Sequence, residues 1–306
     1  MMAMDQVRFC KGTFESSTGK LLEYSLWLPQ EEPTAMIQLV HGMAEHIDRY
    51  DATARAFVQA GYGVVGNNHL GHGAGADVKG YFAEKNGWQH LIDDVHLLRQ
   101  RNQMHNPGIP YILLGHSMGS FVVRCYMTQY ARDLSGVILS GTGCFPRPVA
   151  LAGLSMASLV CLLGGEKKPS KLIDSIAFGG NNKAFRPART AFDWLTRDES
   201  IVDAYIADPL CGFMFTGGAY RDFFTGLNRL TVAGNVPQDL PVLLFSGEKD
   251  PVGAGDGVNK VANQLRQAGM KQVDVKLYPD GRHEMFNELN KEEVWQDVIR
   301  WVEQLK

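Results

Sequence analysis

The sequence predicts an α/β fold with a mostly parallel central sheet that is covered by helices on both faces. Apolar runs of strand length alternate with amphipathic helical patterns along most of the 306 residues, which is the order expected of βαβ units. The runs are apolar at nearly every position, as in strands that are buried on both faces. One long stretch, residues 144–237, breaks the alternation because its pattern is helical and lacks convincing strands.

The N-terminal half contains six predicted strands. A Ser-Ser-Thr-Gly turn joins the first two into a hairpin, and Gly61 ends the first predicted helix. Trp88, Leu91 and Val95 mark one apolar stripe of a second helix. The predicted strands are residues 7–14, 21–28, 35–40, 63–66, 111–114 and 137–140, and the predicted helices are residues 51–60, 88–98 and 121–130.

The C-terminal part resumes the alternation, with strands at 242–246 and 273–278 and helices at 258–268 and 292–304. We therefore assign residues 1–143 and 238–306 to one α/β core and residues 144–237 to a helical cap insertion. Its most apolar part, residues 148–165, could pack on the sheet domain as a cap helix. It could also line the entrance to a pocket or touch a membrane surface transiently. A helix that packs on the sheet domain with one face could still line the pocket with another.

Composition excludes several classes of function. The net charge of -3 indicates neither nucleic acid nor an anionic membrane as the main partner. Five scattered cysteines without metal-type spacing fit a reducing compartment better than a disulfide framework. The N-terminal residues lack an apolar core of signal-peptide length, and residues 148–165 fall short of a comfortable bilayer span. A cytoplasmic protein is therefore expected, and the sequence leaves its oligomeric state open.

The stretch YILLGHSMGSFV contains the strongest chemical motif. Gly115, Ser117 and Gly119 fit G-x-S-x-G where a predicted strand runs directly into a predicted helix. The glycines leave room for a sharp turn, which would expose the serine hydroxyl near the positive end of the helix. A serine that merely caps the helix would occupy the same position, so the motif alone does not decide between a nucleophile and an N-cap.

Possible partners of Ser117 favour the nucleophile. Where a serine stands on such an elbow, the acid and then the histidine follow it along the chain. Eight of the nine histidines precede Ser117, and only His283 follows, just after the last predicted strand. For the acid, Asp250 lies in a loop after a strand end, with Glu248 as the fallback. The less favoured acids are Asp256 at a helix start, Asp274 in a strand and Asp280 beside the base.

These residue types suit acyl transfer. A serine hydroxyl becomes a good nucleophile when a base takes its proton, and a carboxylate fixes and stabilises that imidazole. Backbone N–H groups must also stabilise the developing oxyanion. Met118, directly after the serine, is the first expected donor. Met43, in the loop after the third strand, is the second, because Gly42 gives that backbone freedom.

Four segments together give a resemblance to a known family. With His-Gly-Met-Ala-Glu-His at 41–46, Gly-His-Ser-Met-Gly, Gly-Glu-Lys-Asp and Gly-Arg-His-Glu, the chain resembles the monoacylglycerol lipase and lysophospholipase branch of the α/β-hydrolase superfamily. Residues 195–210 look like that branch's cap. The resemblance implies a triad of Ser117, Asp250 and His283, oxyanion donors at Met43 and Met118, a lipid ester substrate, and neither cofactor nor metal.

One segment departs from the family pattern. Residues 67–75 correspond to a segment that usually reads Asp-His-x-Gly-His-Gly-x-Ser. Here Asn68 takes the aspartate position and Gly75 the serine position. We expect altered anchoring of the loop without loss of the triad.

Other motifs are set aside. Gly71, Gly73 and Ala76 imitate a dinucleotide fingerprint, but no clean helix begins at these glycines. His41, Glu45 and His46 suggest metal ligands, yet they lie on a strand-to-loop turn without the helical H-E-x-x-H geometry. Core packing or loop hydrogen bonding is the better interpretation of these histidines and of His69 and His72.

The sequence therefore predicts a serine hydrolase that cleaves carboxylic esters through an acyl-enzyme. A peptidase of the proline-iminopeptidase type remains an alternative and would need cap carboxylates, for which exposed helix charges are the simpler explanation; the candidates are Asp193, Asp198, Glu199 and Asp203. A haloalkane dehalogenase would place aspartate at Ser117. A non-catalytic binding protein on the same scaffold is the third alternative, against which the intact set of catalytic groups argues.

Overall fold

The computed structural model describes residues 7–230, 236–252 and 256–305. Eight strands of this part form one sheet, and the first two make the predicted hairpin. The strands are β1 (Arg8–Glu15), β2 (Leu21–Leu28), β3 (Met36–Val40), β4 (Gly63–Asn67), β5 (Tyr111–His116), β6 (Gly136–Ser140), β7 (Val242–Gly247) and β8 (Val273–Tyr278).

The strand order in the sheet is β1-β2-β4-β3-β5-β6-β7-β8. Strand β2 pairs antiparallel with both β1 and β4, and the strands from β3 to β8 run parallel. In the register, Val40 lies opposite Gly115 and His116 lies opposite Ser140. The carboxyl ends of β3, β5 and β6 therefore meet at one edge of the sheet, where loops carry ligands and reactive groups in parallel α/β proteins.

Helices of the described part follow the strands in the predicted alternation. Those of the predicted core are α1 (Asp51–Gln59), α2 (Gly87–His105), α3 (Met118–Tyr130), α8 (Asp256–Gln267) and α9 (Lys291–Glu303). Between β6 and β7 lie α4 (Arg147–Val160), α5 (Lys171–Phe178), α6 (Glu199–Ala207) and α7 (Gly217–Arg229), with a π-helical turn at Cys161–Gly165 and a 3₁₀ turn at Asn181–Phe185.

The predicted fold class is confirmed, and most predicted bounds agree within two residues. Helix α3 starts three residues earlier than predicted, because Gly119 and Ser120 already belong to its first turn. Helix α2 continues to His105, seven residues beyond the predicted end. The assigned domain ranges include residues 1–6, 231–235, 253–255 and 306, which lie outside the described residues.

Two apolar clusters hold the sheet between its layers. Along β5, Tyr111 and Leu113 face one cluster, and Ile112 and Leu114 face the other. All four side chains are buried, as are the three central strands around them. This burial on both faces explains why these strands lack the polar alternation of a half-exposed sheet.

Helix α4 packs on α7 through small residues and leaves large apolar side chains outside. Ala150, Gly153 and Ala157 are its buried residues, and a Cβ at Gly153 would overlap the ring of Phe224 of α7. Contrary to the expectation for residues 148–165, the helical stretch Arg147–Gly165 is long and apolar enough to cross a membrane by length and composition alone. A single stretch of this kind does not distinguish a membrane span from a helix on a folded domain.

Candidate active site

Ser117 stands on a sharp turn between β5 and α3. Its backbone has φ 52° and ψ −121°, a conformation that costs a non-glycine residue free energy unless its surroundings enforce it. Here the Ser117 N–H donates to the carbonyl of Ser140 at 2.9 Å, and the Ser117 carbonyl accepts from the Ser120 N–H at 2.9 Å. The flanking elements therefore hold the serine at the carboxyl end of β5.

Two glycines make this turn possible. A Cβ at Gly119 would lie 2.0 Å from the carbonyl oxygen of Val40, and one at Gly115 would lie 2.5 Å from the carbonyl oxygen of Gly119. Real Cβ atoms do not approach backbone this closely, so any side chain at either position would push α3 away from the sheet. The G-x-S-x-G pattern thus reflects helix-to-sheet contact as well as turn geometry.

Asp250 and His283 come together from separate loops. Both carboxylate oxygens of Asp250 lie 3.0 Å from Nδ1 of His283. Asp250 also accepts hydrogen bonds from the Ser246 hydroxyl at 2.6 Å and from the Val252 N–H at 2.8 Å. These contacts fix the carboxylate and assign the Nδ1 proton to the side facing it, which leaves Nε2 as the nitrogen able to accept a proton.

The ring of His283 lies beside the serine elbow. Its centroid is 4.7 Å from the ring of His116, the residue immediately before Ser117. A Cβ at Gly141 would lie 2.9 Å from Cε1 of His283, so the end of β6 also contacts the ring. Among the described residues no hydrogen bond joins Ser117 Oγ to His283 Nε2. Catalytic hydrogen bonds are often long in the absence of substrate and tighten in the complex.

Burial and charge act in opposite directions on this pair. Burial alone would lower the pKa of His283, but the Asp250 carboxylate raises it above its usual value. Burial alone would raise the pKa of Asp250, but His283 and the hydrogen bonds from Ser246 and Val252 lower it. Asp250 is therefore ionised at neutral pH and stabilises the protonated form of the imidazole.

The other candidate acids lie elsewhere. Glu248 is exposed, whereas both carboxylate oxygens that contact His283 Nδ1 belong to Asp250. Asp256 begins α8 and pairs with Lys260. Asp274 accepts a hydrogen bond from the Trp301 indole at 2.9 Å.

The loop after β3 lies directly against Ser117. A Cβ at Gly42 would come within 3.2 Å of Ser117 Cβ. On either side of Met43 the backbone is fixed, since the Gly42 N–H donates to Glu45 Oε1 at 2.5 Å and the Ala44 N–H donates to His72 Nε2 at 3.2 Å. Met118 is the first residue of α3, so its N–H has no acceptor within the helix.

Buried neutral histidines support this loop. His41 Nε2 accepts from the His69 N–H at 3.1 Å, and its Nδ1 contacts the Gly42 carbonyl at 2.8 Å. Burial lowers the pKa of His72 to about 3 and that of His69 to about 4, so both stay neutral and can accept hydrogen bonds. They act as loop supports, in line with the interpretation from the sequence.

The departure at Asn68 has a local structural counterpart. Its Oδ1 accepts from the Ile47 N–H at 2.9 Å, as a carboxylate could, whereas its Nδ2 donates to Glu23 Oε2 at 3.1 Å. An aspartate here would place two carboxylates together, so the amide suits the neighbouring Glu23. Gly75 is exposed.

The segment before α6 covers His283. The ring of Trp194 lies 5.0 Å from that of His283, and the Glu284 N–H donates to the Leu195 carbonyl at 2.7 Å. In the loop after β3, the carbonyl of Ala44 accepts from the Tyr205 hydroxyl at 3.0 Å and from the Gly212 N–H at 2.9 Å.

One expectation for the cap carboxylates is wrong. Asp193 is buried and precedes α6, where it accepts hydrogen bonds from the Arg189 N–H and from Thr190, so it is not an exposed helix charge. The explanation holds better for the others: Asp203 and Glu199 are exposed and pair with Arg189, and Asp198 caps α6.

One group of side chains could hold a metal ion by distance alone. The ligand atoms of His46, Asp208 and Cys211 lie within 4.8 Å of one another. His46 Nε2 and Asp208 Oδ2 are 2.8 Å apart, so they already form a hydrogen bond between the loop after β3 and the segment after α6. This junction is a structural contact and requires no ion.

Sequence reasoning missed the ionic contacts behind the site. Arg49 bridges Glu45 and Glu284, and Arg197 pairs with the buried Glu288 at 2.8 Å. Arg197 and Glu288 are 91 residues apart along the chain, and Arg49 and Glu284 are 235 residues apart. No spacing pattern in the sequence therefore predicts these pairs. Only the i,i+4 spacing of Glu45 and Arg49 was a visible signal.

The eight-stranded sheet with an antiparallel second strand and a serine elbow after β5 defines an α/β hydrolase. Comparison with protein families is consistent with that class. The model of the family Hydrolase_4, described as serine aminopeptidase, S33, matches residues 31–290, and the chain belongs to this family.

Similar proteins extend over nearly the whole chain. A monoacylglycerol lipase of Mycolicibacterium smegmatis is 29% identical over 294 residues, covering 95% of each chain. The monoglyceride lipase of Homo sapiens is 24% identical, covering 94% of this chain and 89% of the relative. The crystal structure of a thermostable carboxyl esterase from Bacillus coagulans in complex with glycerol has a TM-score of 0.90 at 30% identity, covering 97% of this chain and 98% of the other. The predicted resemblance to monoacylglycerol lipases is confirmed.

Proposed function

We propose that this protein is a serine hydrolase that cleaves carboxylic esters of lipids, with Ser117 as nucleophile, His283 as general base and Asp250 as the residue that orients the base. The observation that carries the proposal is the juxtaposition of two features. Ser117 is held at positive φ on a glycine-flanked elbow, and the buried Asp250–His283 pair packs beside that elbow.

Acylation follows from this geometry. His283 Nε2 takes the Ser117 proton as Oγ attacks the ester carbonyl, and Asp250 stabilises the imidazolium that forms. The backbone N–H groups of Met43 and Met118 stabilise the oxyanion, since both belong to segments that contact Ser117. Collapse of the tetrahedral intermediate expels the alcohol, which receives the proton from His283. Water then attacks the acyl-enzyme with His283 again acting as base.

A monoacylglycerol or a lysophospholipid is the proposed substrate class. Its support is the likeness to the two monoacylglycerol lipases over nearly the whole chain and to the esterase whose crystal structure contains glycerol. The helices between β6 and β7, which we propose form a cap of residues 144–237, cover the carboxyl edge of the sheet and would enclose the acyl chain.

An aminopeptidase is the less supported alternative, although the family description contains that word. Such an enzyme needs cap carboxylates that are free to bind an amino terminus. The four candidates instead have local partners: Asp193 and Asp198 accept backbone N–H groups, while Glu199 and Asp203 pair with Arg189. A non-catalytic binding protein would have no need of the strained elbow beside a hydrogen-bonded acid and base.

Labelling with a fluorophosphonate tests the assignment of Ser117. We expect one covalent adduct, mapped to Ser117 by peptide mass spectrometry, in the wild-type protein and in the control variant Ser135→Ala, and none in Ser117→Ala. An unlabelled but folded wild-type protein would rule out the nucleophile.

A substrate panel then separates the candidate classes. Monoacylglycerols, lysophospholipids and aminoacyl amides should be compared by kcat/KM, and the wild-type protein should prefer the esters. A preference for aminoacyl amides would favour the peptidase instead.

We further propose that the exposed face formed by the π-helical turn Cys161–Gly165 and by α5 contacts a lipid surface during substrate loading. Leu162 and Leu163 are 84% and 79% exposed, and Leu172 and Ile176 are 61% and 63% exposed. Exposed lysines lie among them at positions 167, 168 and 171. Apolar side chains flanked by lysines are typical of helices that lie in a membrane interface.

Sedimentation with lipid vesicles tests this contact. The wild-type protein should co-sediment with vesicles, and the lysines should make the bound fraction larger with anionic than with zwitterionic lipid at low salt. A protein that stays in the supernatant with both vesicle types contradicts the contact.

A cytoplasmic location remains a proposal. All five cysteines are free in the structure, and two of them, Cys125 and Cys211, are buried thiols. Free thiols are typical of a reducing compartment. Fractionation of the source cells with an antibody against the protein would test the location.

A further inference from the structure

A buried ionic cluster lies behind the candidate site and takes no part in the proposed chemistry. Arg49, in the 3₁₀ turn Ile47–Tyr50, donates from one terminal nitrogen to Glu45 Oε2 at 2.6 Å and to Glu284 Oε1 at 2.8 Å. Its other terminal nitrogen donates to Glu284 Oε2 at 2.7 Å. The side chains of Arg49, Glu45 and Glu284 are only 10%, 4% and 5% exposed.

Each carboxylate of this cluster is attached to a different half of the site. Glu45 Oε1 accepts the Gly42 N–H at 2.5 Å, directly before Met43. Glu284 is the next residue after His283 and also accepts a side-chain hydrogen bond from Asn287 at 2.9 Å. The guanidinium therefore connects the loop proposed to hold the oxyanion with the loop that carries the base, although they are 235 residues apart along the chain.

Two aromatic residues enclose the cluster. The Tyr50 hydroxyl donates to Glu45 Oε1 at 2.8 Å, and the ring of Tyr205 lies 4.7 Å from the guanidinium carbon. Tyr205 belongs to α6 and also donates its hydroxyl to the Ala44 carbonyl. Planar contacts of this kind suit a guanidinium with its five fixed donors and suit an ammonium poorly.

We propose that Arg49 is a positioning residue that holds the loop of Gly42 and Met43 in register with the loop of His283 by bridging Glu45 and Glu284. The proposal rests on the proposed function, because it assigns these loops to the oxyanion and to the base. A buried charge pair is a weak source of stability but a strong constraint on geometry, since every partner must stay in contact once it has lost water.

Loss of the bridge should affect turnover more than binding. Without Arg49 two carboxylates would be buried close together with no cation between them, and their repulsion would move both loops. A displacement of about 1 Å in a reacting group can reduce the rate roughly a hundred-fold. On the proposed function, substrate binding depends mainly on contacts between the acyl chain and the cap, so KM should change little.

Arg49→Met tests the bridge. We expect kcat to fall about 30- to 300-fold with KM within about threefold of the wild-type value. Arg49→Lys restores the charge without the two-pronged geometry and should recover kcat to within about tenfold of wild type. Arg55→Met is the matched control because Arg55 also pairs with a carboxylate four residues earlier, Asp51, but on the outside of α1. Its kcat should stay within about twofold.

Glu284→Gln gives a second readout that a merely structural role would not produce. Burial opposes ionisation of Glu284, but Arg49 lowers its pKa to about 2, so the group is charged at working pH. Its charge adds to that of Asp250 in raising the pKa of His283. Removing it should shift the acid limb of the kcat/KM profile to lower pH and reduce kcat about three- to tenfold. The titratable groups that face Glu284 are Arg49, Glu45, Tyr50, His116, Tyr205, Cys211 and His283.

The proposal is overturned if folded Arg49→Met keeps kcat within about twofold of wild type, or if its loss of activity lies in KM instead of kcat. Should Arg49→Met fail to fold, Arg49→Lys and Glu284→Gln decide: a Glu284→Gln enzyme with unchanged kcat and an unchanged acid limb contradicts the role. Failure of the proposed function is distinguishable, because a wild-type protein without Ser117 labelling or esterase activity would fail before any Arg49 variant is compared.

Discussion

The elbow of Ser117 and the outer face of α4 both follow strands at the carboxyl edge of the sheet, but their side chains are used in opposite ways. At the elbow, Gly115 and Gly119 sit against backbone with no room for a methyl group. On α4 and the π-helical turn after it, small residues face inwards and large apolar ones, such as Leu159 and Leu162, face outwards.

This difference indicates that the elbow sets the geometry of the reacting groups, whereas the outer face of α4 serves access of the substrate. Close backbone packing holds the reacting groups in place. Such packing matters because a small displacement would misalign the serine and the histidine. Exposed leucines cannot stabilise the isolated chain, since they remain in water. They are typical of a surface that binds a membrane or another protein. We therefore expect substitutions at the elbow to affect chemistry or folding, and substitutions on the exposed face of α4 and the π-helical turn to affect substrate delivery.

The largest expected effect is that of Asp250→Asn. Because the amide no longer fixes the productive tautomer of His283, kcat should fall roughly 10³- to 10⁴-fold while the protein still folds. In the wild-type enzyme the acid limb of kcat/KM should lie above pH 6.5, the unperturbed value, because Asp250 raises the pKa of His283 against the effect of burial.

The pH profile of Asp250→Asn shows in which direction the carboxylate shifts the pKa of His283. With the carboxylate gone, burial dominates and lowers the pKa of His283, so the residual activity should persist to lower pH than in the wild-type enzyme. Glu248→Gln is the control, since that side chain is exposed, and its profile should match wild type. An Asp250→Asn enzyme with wild-type kcat would exclude the assigned acid.

Gly119→Ala should have the next largest effect, this time on stability. The added methyl group would lie 2.0 Å from the Val40 carbonyl oxygen, so α3 must move away from β3 at a cost of about 3 kcal/mol or more in the free energy of unfolding. Denaturant unfolding measures this cost. Gly180→Ala is the control, because a Cβ there meets no described atom within 4 Å, and its free energy of unfolding should change by less than about 0.5 kcal/mol.

Leu162→Ser and Leu163→Ser should affect the exposed apolar face and leave the elbow unchanged. Each should weaken binding to lipid vesicles roughly tenfold, because an apolar side chain of this size contributes about 1.5–3 kcal/mol when fully buried. Hydrolysis of a short, water-soluble ester should be unchanged. Met104→Ser, at the far end of α2 and 73% exposed, should bind vesicles like wild type. If the leucine variants bind vesicles as well as the wild-type protein does, the exposed face does not make the proposed lipid contact.

Tyr205→Phe should have the smallest effect. It tests whether α6 supports the loop after β3. It removes the hydrogen bond to the Ala44 carbonyl, worth about 1 kcal/mol, so kcat/KM should fall about three- to tenfold. Tyr220→Phe loses a similar bond, to Asp174 at 2.7 Å, away from the loop after β3, and should keep its kcat/KM. Equal losses in the two variants would mean that the effect is one of general stability.

The fold was largely predictable because its signals are local. Strand β2 was predicted with its observed bounds, since a turn and an apolar pattern mark both ends. The juxtaposition of Asp250 and His283 was also expected, because loops after parallel strands meet at one edge of the sheet. The residue pattern alone left Glu248 as a fallback acid, and the resemblance to a known family favoured Asp250.

The remaining features were not predictable from local patterns. The i,i+4 pair of Glu45 and Arg49 was visible, but nothing in the sequence shows that Glu284 completes it. Asp193 was assigned to an exposed helix because helical charge patterns cannot reveal a hydrogen-bonded turn. The apolar run after β6 revealed its composition but not which of its residues face α7, because that depends on the crossing of two helices.

The contact between Gly119 and Val40 also has a consequence for how such an enzyme can change over time. With α3 seated on the backbone of β3, the spacing between the serine and the loop after β3 cannot be adjusted by exchanging side chains, since no side chain separates the two elements. A laboratory that wants a new substrate scope from this scaffold should therefore leave the elbow alone and vary Trp194 and its neighbours, because the contact with His283 there is made by a side chain.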